Sequence, residues 1–331
     1  MKKLIALILT LASIVLCFAA CGKDTPPETN KIRVGYMAGP TGMGMAKLIA
    51  DNGGLEAGND KYTFTKYADT QAAKADLAAG KIDVICLPTN EAALYYSTVN
   101  KNIRVLAVNC LNSLYLLSDK DNSASSLADL AGKTVYTCKN GTPRQVLNYI
   151  VKANNLDINI SYTYDGKDIV TPQDLSALVI AGKLPFAVMP EPVVTSSLLT
   201  IQNNGNTDIA YSVDVNLANE WAKVSTTPVT MGCVVTTSDF LDKNKATIDA
   251  FLTEYKASVE YIGNPSNLES AANYVVETGV MAAAPAAKKA LTNLSGAITY
   301  IDGIDMRQSL MNFYRAIGFT VFPDDEFYYK K

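Results

Sequence analysis

The chain has 331 residues, of which 48% are hydrophobic and 18% are charged, and its formal net charge is −3. These values describe a folded chain with room for one large or two medium domains, and they exclude a disordered protein. The charges form no basic stripe that would bind a phosphate backbone, so nucleic acid is not an expected partner. The chain has no histidine, which excludes Ser-His-Asp and Cys-His triads, histidine-ligated zinc and an imidazole general base.

The N-terminal stretch MKKLIALILTLASIVLCFAAC predicts an export signal. Two lysines precede an apolar run, Leu4–Ala20, whose length of about 17 residues is short for a membrane-spanning helix. The ending FAAC resembles a bacterial lipobox, in which the cysteine is lipidated and becomes the first mature residue; an ordinary signal peptide is the alternative. We therefore predict a lipoprotein signal at 1–20, a lipid on Cys21, a polar tether at 21–30 and an extracytoplasmic protein anchored to the bacterial cell membrane.

The other cysteines lie in apolar runs typical of β-strands, and they are Cys86, Cys110, Cys138 and Cys233. None forms a CxxC motif or another metal-binding spacing. We interpret them as buried thiols, with disulfides as the alternative that export would permit. The sequence gives no reason to expect a metal or a cofactor.

The first part of the mature chain predicts strands that alternate with helices. IRVGYM at 32–37 predicts a strand, and Met45, Leu48 and Ile49 have the spacing of a helix. YTFTKYA predicts a second strand, TQAAKADLAAG a helix that ends at Gly80, and KIDVICLP a buried strand. This βαβαβ order is typical of a parallel sheet covered by helices.

The same pattern returns about one hundred residues later. A strand, a Gly-Thr turn and a helix occur in KTVYTCKNGTPRQVLNYIVKAN, a strand in SYTYDG, and a helix and a strand in PQDLSALVIAGKLPFAVMPEP. The AGK that follows a helix at 79–81 returns at 181–183, and Pro88 corresponds to Pro190. The sequence thus predicts two similar α/β lobes with a cleft between them.

Two β-rich stretches, IRVLAVNCLNSLYLLSD and TPVTMGCVVTTSDFL, follow the two copies. They predict that the chain leaves lobe one by one strand and returns by another, which gives a two-stranded hinge suited to closure on a ligand. The remainder is mostly helical. We assign 31–115 and 232–331 to lobe one and 116–231 to lobe two, each with a mainly parallel sheet covered by helices.

The stretch GPTGMG follows the first strand. It lacks the Gly-Lys-Ser/Thr ending of a nucleotide P-loop, and its glycine spacing differs from GxGxxG. Thr41 is expected to cap the next helix, and Thr142 in NGTPRQ to cap its counterpart in lobe two. Two helix N-termini would then face the cleft and hold an anionic or accepting group; helix capping alone is the alternative.

Ligands of such sheets bind at the strand ends. Asn90 offers donors and acceptors there, and Glu191 would suit an amine or a ring N–H; stabilisation of the following helix is the alternative for Glu191. Arg144 is either a bidentate donor in the cleft or a solvated helix residue. Methionines near the strand ends favour an organic solute, a sulfonate-like acid or a pyrimidine-type heterocycle. The predicted ligand-binding residues are Pro40, Thr41, Gly42, Met43, Thr89, Asn90, Asn112, Ser113, Asn140, Gly141, Thr142, Arg144, Pro190 and Glu191.

The lipobox, the paired lobes, AGKIDVICLP and the returning VVTTSDFLDKN resemble type II substrate-binding proteins of ABC importers. The similarity covers the chain from Lys31 onward and favours the group that handles nitrate, sulfonates, taurine and thiamine-type pyrimidine precursors. It implies a monomeric, lipid-anchored receptor that delivers a small solute to an ABC permease and its ATPase and has no catalysis of its own. A ligand-sensing lipoprotein is the alternative. An enzyme on the same fold is disfavoured, because the similar pyrimidine synthases depend on a histidine.

Overall fold

The structure is a computed structural model that describes residues 31–55 and 60–330. The predicted signal at 1–20, the lipidated Cys21 and the tether lie outside these residues. Within the described ranges, none of the helices combines the length and apolar character that a membrane crossing requires.

The elements follow the predicted alternation. The strands are β1 (Ile32–Met37), β2 (Tyr62–Tyr67), β3 (Val84–Pro88), β4 (Ile103–Leu111), β5 (Leu114–Asp119), β6 (Thr134–Tyr136), β7 (Asn159–Ser161), β8 (Thr163–Tyr164), β9 (Lys167–Asp168), β10 (Phe186–Pro190), β11 (Tyr211–Asn216), β12 (Thr230–Thr237) and β13 (Ile298–Ile301). The helices are α1 (Pro40–Met43), α2 (Ala46–Asp51), α3 (Thr70–Ala78), α4 (Thr89–Thr98), α5 (Thr142–Ala153), α6 (Pro172–Ile180), α7 (Val193–Asn203), α8 (Leu217–Ala222), α9 (Ser238–Lys243), α10 (Lys245–Gly263), α11 (Leu268–Glu277), α12 (Ala284–Asn293) and α13 (Gly303–Ala316).

Two sheets form the two lobes. The first has the order β13-β4-β12-β3-β1-β2, and the second has the order β11-β5-β10-β6-β7. In the first sheet β12 and β13 run against the other strands. In the second sheet only β5 does so among the described strands. Most strands of each sheet therefore point in one direction, with their carboxyl ends at a common edge.

The internal repeat predicted from the sequence is present in the topology. The order β3-β1-β2 in the first sheet corresponds to β10-β6-β7 in the second. An antiparallel strand that arrives from the other lobe, β12 or β5, lies next to β3 or β10 respectively. The matching helix ends also agree, since Gly80 and Gly182 both adopt left-handed backbone conformations, with φ of 65° and 67°. The prediction of two similar α/β lobes is confirmed.

The two crossing segments lie side by side. The chain leaves the first sheet at Asn112 and Ser113, between β4 and β5, and returns at 223–229, between α8 and β12. The Asn112 N–H donates to the Val229 carbonyl, and the Val229 N–H donates to Asn112 Oδ1, both at 3.0 Å. Asn112 has a φ of 45°, a left-handed conformation that asparagine tolerates better than most residues. These bonds join the strands of the predicted hinge.

Apolar packing continues across the hinge side of the molecule. A cluster of buried side chains includes members of both sheets, such as Val105 and Val188, together with Trp221 and Phe313. Separate clusters fill the space between the first sheet and α10 to α12, and between the second sheet and α6 and α7. The hinge side is therefore closed by hydrophobic core, and the carboxyl ends of the strands border the open side.

Candidate functional site

A cavity of about 320 Å³ lies where strands of both sheets end. Met37 and Pro88 represent β1 and β3 in its wall, and Pro190 represents β10. Ligands of open α/β sheets bind at such carboxyl ends, and the volume is at the small end of the range for ligand sites. The cavity is therefore the candidate binding site.

The structure brings part of the predicted set into the cavity wall. These residues are Pro40, Thr41, Ser113, Asn140, Gly141, Thr142, Pro190 and Glu191. The other predicted residues do not line the cavity, and they are Gly42, Met43, Thr89, Asn90, Asn112 and Arg144.

The stretch GPTGMG forms a short helix, α1, that begins at Pro40 and not after Thr41. No side chain caps this helix, so the predicted capping role of Thr41 is wrong. The methyl group of Thr41 instead approaches Gly232, where an added Cβ would lie 2.1 Å from it. Gly42 lies against the Met37 carbonyl, and Met43 is fully buried in the core of lobe one. Packing against β1 and β12 thus explains much of this motif.

Thr142 and Asn90 connect the lobes. The Thr142 hydroxyl donates to Asn90 Oδ1 at 3.0 Å, and Asn90 Nδ2 donates to Gln145 Oε1 at 2.8 Å. Thr142 is the first residue of α5 and does not cap it, so that prediction is also wrong. The two bonds hold α4 of lobe one against α5 of lobe two beside the cavity.

Three other predicted residues have structural partners away from the cavity. The Thr89 hydroxyl donates to the Thr230 carbonyl at 2.6 Å in the buried interior, and Asn112 belongs to the hinge. Arg144 donates to the Lys139 carbonyl at 2.9 Å, and its guanidinium carbon lies 4.6 Å from the centre of the Tyr162 ring. It lines a separate open groove of about 790 Å³ between α5 and the end of α13. This is the solvated alternative considered for Arg144.

Glu191 is the most constrained polar residue of the cavity wall. It follows β10 and has 0% of its surface exposed. Its Oε1 accepts from the Thr195 hydroxyl at 2.9 Å and from Asn293 Nδ2 at 2.5 Å, and its Oε2 accepts from the Thr195 N–H at 3.1 Å. Burial raises the pKa of Glu191, although these hydrogen bonds and the nearby Lys289 oppose the shift. The bond to the Thr195 N–H stabilises the first turn of α7, as the alternative reading of Glu191 predicted.

Sequence reasoning missed several residues of the cavity wall. They include Asp69, Glu91, Cys110, Cys138 and Gln173. Asp69 caps α3, since its Oδ1 accepts from the N–H groups of Gln71 and Ala72 at 2.9 Å. Glu91 forms an ion pair with Lys74 at 3.0 Å. Asp69 and Cys138 lie two residues after the ends of β2 and β6, so the strand-end rule used for Asn90 would have found them.

The thiols of the cavity wall are neutral at ordinary pH. Burial raises the pKa of Cys110 and of Cys138 to about 12. All four cysteines of the described chain are buried free thiols, and burial is what the sequence predicted. A thiol that stays protonated is a weak nucleophile, so these cysteines act as soft, small wall residues.

We expect Glu191→Gln to change how stability depends on pH. A raised folded-state pKa means that the fold favours the protonated carboxyl, so this stabilisation is present below the unfolded pKa and lost as pH rises through the folded pKa. The free energy of unfolding of Glu191→Gln relative to wild type should therefore increase as the pH rises from about 4, the ordinary pKa of glutamate, toward neutral and alkaline values, because only the wild type must ionise the buried carboxyl. Tyr115 and Lys289 are the titratable neighbours.

Denaturant unfolding over this pH range measures the difference. Glu277→Gln, at the exposed end of α11, controls for the loss of one carboxylate. A difference between Glu191→Gln and wild type that is constant with pH would contradict the assigned direction.

Comparison with solved structures identifies the fold. The chain is similar to an ABC transporter protein of Parabacteroides distasonis, with 20% identity, coverage of 91% of this chain and 99% of the other, and a TM-score of 0.69. It is also similar to the periplasmic aliphatic sulphonate binding protein of Escherichia coli, with 17% identity, coverage of 91% of this chain and 92% of the other, and a TM-score of 0.66. A third similar structure is the periplasmic nitrate-binding protein of Synechocystis, with 15% identity, coverage of 92% of this chain and 76% of the other, and a TM-score of 0.56. Neither a protein-family model nor a curated protein sequence matches the chain.

These similarities define the class of fold. The chain has the fold of the periplasmic substrate-binding proteins of ABC transporters, with two α/β lobes and a cleft between them. The predicted fold class is confirmed, and the neighbours include proteins of the sulfonate and nitrate group that the sequence resembles.

Proposed function

We propose that this protein is an extracytoplasmic receptor that binds a small organic solute between its lobes and delivers it to an ABC permease. The cavity is the main support for the proposal, because residues of both lobes form its wall. A solute bound there would contact both lobes and would favour their closure. Thr41 represents lobe one in this wall and Thr142 represents lobe two. The similar proteins of Escherichia coli and Synechocystis are named as binding sulphonates and nitrate.

The hinge and the bonds across the cleft support a binding role that depends on movement. The two crossing segments are joined by backbone and side-chain hydrogen bonds at Asn112 and Val229. Beside the cavity, hydrogen bonds join the two lobes, such as that of Thr142 with Asn90. A hinge of two short segments suits the closure of two lobes around a ligand.

Enzymatic turnover is a weaker proposal for the same cavity. The chain has no histidine, and the thiols of the wall have raised pKa values. The wall carboxylates Asp69 and Glu91 are engaged in helix capping and an ion pair. The third, Glu191, is fully buried and accepts hydrogen bonds from Thr195 and Asn293. These groups suit solute binding better than general acid-base or nucleophilic catalysis.

Ligand-dependent stabilisation tests the receptor function. A solute that binds only the folded chain should raise the thermal midpoint, by an amount that increases with its concentration above Kd. A screen of small metabolites and cell extracts against the purified mature chain measures this, with native mass spectrometry to identify what is retained. No change of midpoint with any extract would contradict the proposal.

Membrane attachment through Cys21 is a separate part of the proposal and needs its own test. Cys21→Ser in the full chain should move the protein from the membrane fraction to the soluble extracytoplasmic fraction, since a lipid chain would be absent. Cys86→Ser, at a buried position of β3, is the matched control. Retention of Cys21→Ser in the membrane fraction would contradict lipid anchoring at this residue.

A further inference from the structure

We infer that the solute carries a nitrogen group with N–H donors, such as an amine, an amidine or an amino-heterocycle, that is bound by Glu191 and Ser113. The inference rests on the receptor function proposed above and specifies the chemistry of its solute. It selects against a simple sulfonate or nitrate, because their acceptor oxygens have no N–H to donate to the Glu191 carboxylate.

The charge of the cavity wall is the first observation. Among the described residues that line it, the charged side chains are Asp69, Glu91 and Glu191, and there is no lysine, arginine or histidine. Glu91 forms an ion pair with Lys74 at 3.0 Å, and Asp69 accepts hydrogen bonds from N–H groups at the N-terminus of α3. Glu191 forms no ion pair within 31–55 and 60–330. The wall therefore has one acidic group without an ion-pair partner, and Lys289, which lies outside the wall, is the cation near enough to lower its pKa.

The acceptor capacity of Glu191 is the second observation. A carboxylate has about four acceptor positions, and the described bonds use two on Oε1 and one on Oε2. All three donors are uncharged groups, on Thr195 and Asn293. A buried carboxylate is costly unless it is hydrogen-bonded and paired, and an N–H donor of a solute at Oε2 would supply both a bond and, for a protonated amine, the opposite charge.

Ser113 is the third observation, and it is independent of the carboxylate. Ser113 is one of the lining residues and is 1% exposed, and its buried Oγ has no hydrogen-bond partner of ordinary geometry among the described residues. The Cys110 thiol is its polar neighbour, and this hydroxyl lowers the pKa of that thiol. Ser113 is also adjacent to Glu191, because the Glu191 N–H donates to the Ser113 carbonyl at 2.9 Å. A bound group or an ordered water can satisfy such a hydroxyl, and an N–H of the proposed solute is a donor that it could accept.

The rest of the wall suits the organic body of such a solute. Met37, Met231, Val170 and Val193 contribute apolar surface, as do several prolines. A mostly apolar wall with a few convergent polar groups is typical of small-molecule sites. The polar groups fix the orientation of the solute, and here they favour a nitrogen donor.

Matched pairs of compounds that differ by one amino group test the inference. Suitable pairs are 4-aminopyrimidine with pyrimidine, benzylamine with toluene, and 2-aminoethanesulfonate with ethanesulfonate; nitrate is an additional anionic probe. Thermal midpoints and calorimetric affinities are measured for the wild-type chain, Glu191→Gln and Ser113→Ala. Glu277→Gln is the control for net charge, and the midpoint without ligand shows whether each variant folds.

We expect an amino member to bind the wild-type chain while its partner does not. Glu191→Gln should weaken that binding by ~10-fold to ~100-fold, because hydrogen bonds to charged groups contribute more than neutral ones. Ser113→Ala should weaken it less. Binding of amines that Glu191→Gln leaves unchanged would overturn the inference.

Binding of ethanesulfonate or nitrate to wild type and Glu191→Gln alike would also overturn the inference, while the receptor function would stand. If no pair and no component of a cell extract changed the wild-type midpoint, the receptor function and the inference would both fall.

Discussion

Replacing Trp221 with alanine is expected to lower the free energy of unfolding by about 3–5 kcal/mol, the usual cost of deleting a buried tryptophan. Trp221 is 1% exposed and lies in α8, where the chain turns back toward lobe one. Its ring centre is 4.8 Å from that of Tyr149 in lobe two and 5.8 Å from that of Phe313 in α13. The indole thus fills the core on the hinge side.

A second substitution of Trp221 distinguishes the contribution of the indole hydrogen bond to stability from that of the buried ring volume. Trp221 Nε1 donates to the Thr227 carbonyl at 2.6 Å, within the returning crossing segment. Trp221→Phe keeps an aromatic ring but removes this bond, so it should cost less than Trp221→Ala, with about 0.5–1.5 kcal/mol from the bond and the rest from lost volume.

Denaturant unfolding followed by far-ultraviolet circular dichroism measures both variants, because Trp221 is the one tryptophan of the chain and its fluorescence is lost on substitution. Exposed Leu94→Ala, on α4, controls for loss of apolar volume at the surface. A cost for Trp221→Ala no greater than that of Leu94→Ala would contradict the assignment of Trp221 to the core of the hinge.

The sequence predicted the fold well because the signals that set it are local. Alternating apolar runs, the glycines that end helices and the prolines that end strands are read from neighbouring residues. The repeat of AGK at 79–81 and 181–183 then indicated two lobes, and each copy lies between the end of a helix and the equivalent strand, β3 or β10. Strand β13 was missed because it has four residues between helices and lacks a pattern of its own.

The candidate site was predicted less well because its residues meet through tertiary packing. Asn293 is the last residue of α12, from which no described residue lines the cavity, yet its side chain donates to Glu191 at 2.5 Å. The separation is about one hundred residues in sequence, and only the packing of α12 on α7 brings the two together. A single sequence carries no signal of that contact.

Thr41 and Thr142 illustrate a different limit. Threonine before an apolar helical run predicts a cap, but α1 begins two residues earlier than a Thr41 cap requires, and α5 begins one residue earlier than a Thr142 cap requires. The hydroxyl of Thr142 instead donates to Asn90 in the other lobe. A residue of the other lobe thus takes the hydroxyl that the capping rule assigned to the local backbone. The rule located the start of the helix to within a residue or two but predicted the wrong hydrogen bond.

The glycines of GPTGMG allow the roles of packing and ligand binding to be separated. We expect Gly42→Ala to lower the free energy of unfolding by about 1–3 kcal/mol or more, because a Cβ there would lie 2.1 Å from the Met37 carbonyl oxygen, and overpacking of this kind forces the backbone apart. This carbonyl is a backbone group of β1, so no rotamer change of a neighbouring side chain can relieve the contact.

Gly39→Ala is the matched control within the same motif. Gly39 has an extended φ of 169°, and an added Cβ would meet no heavy atom within 4 Å. This substitution should leave stability unchanged or raise it by up to about 1 kcal/mol through the unfolded state. Thermal and denaturant unfolding of both variants without ligand measures the contrast. Equal stability of Gly42→Ala and Gly39→Ala would contradict close packing of α1 on β1, because only that contact distinguishes the two positions in the absence of a solute.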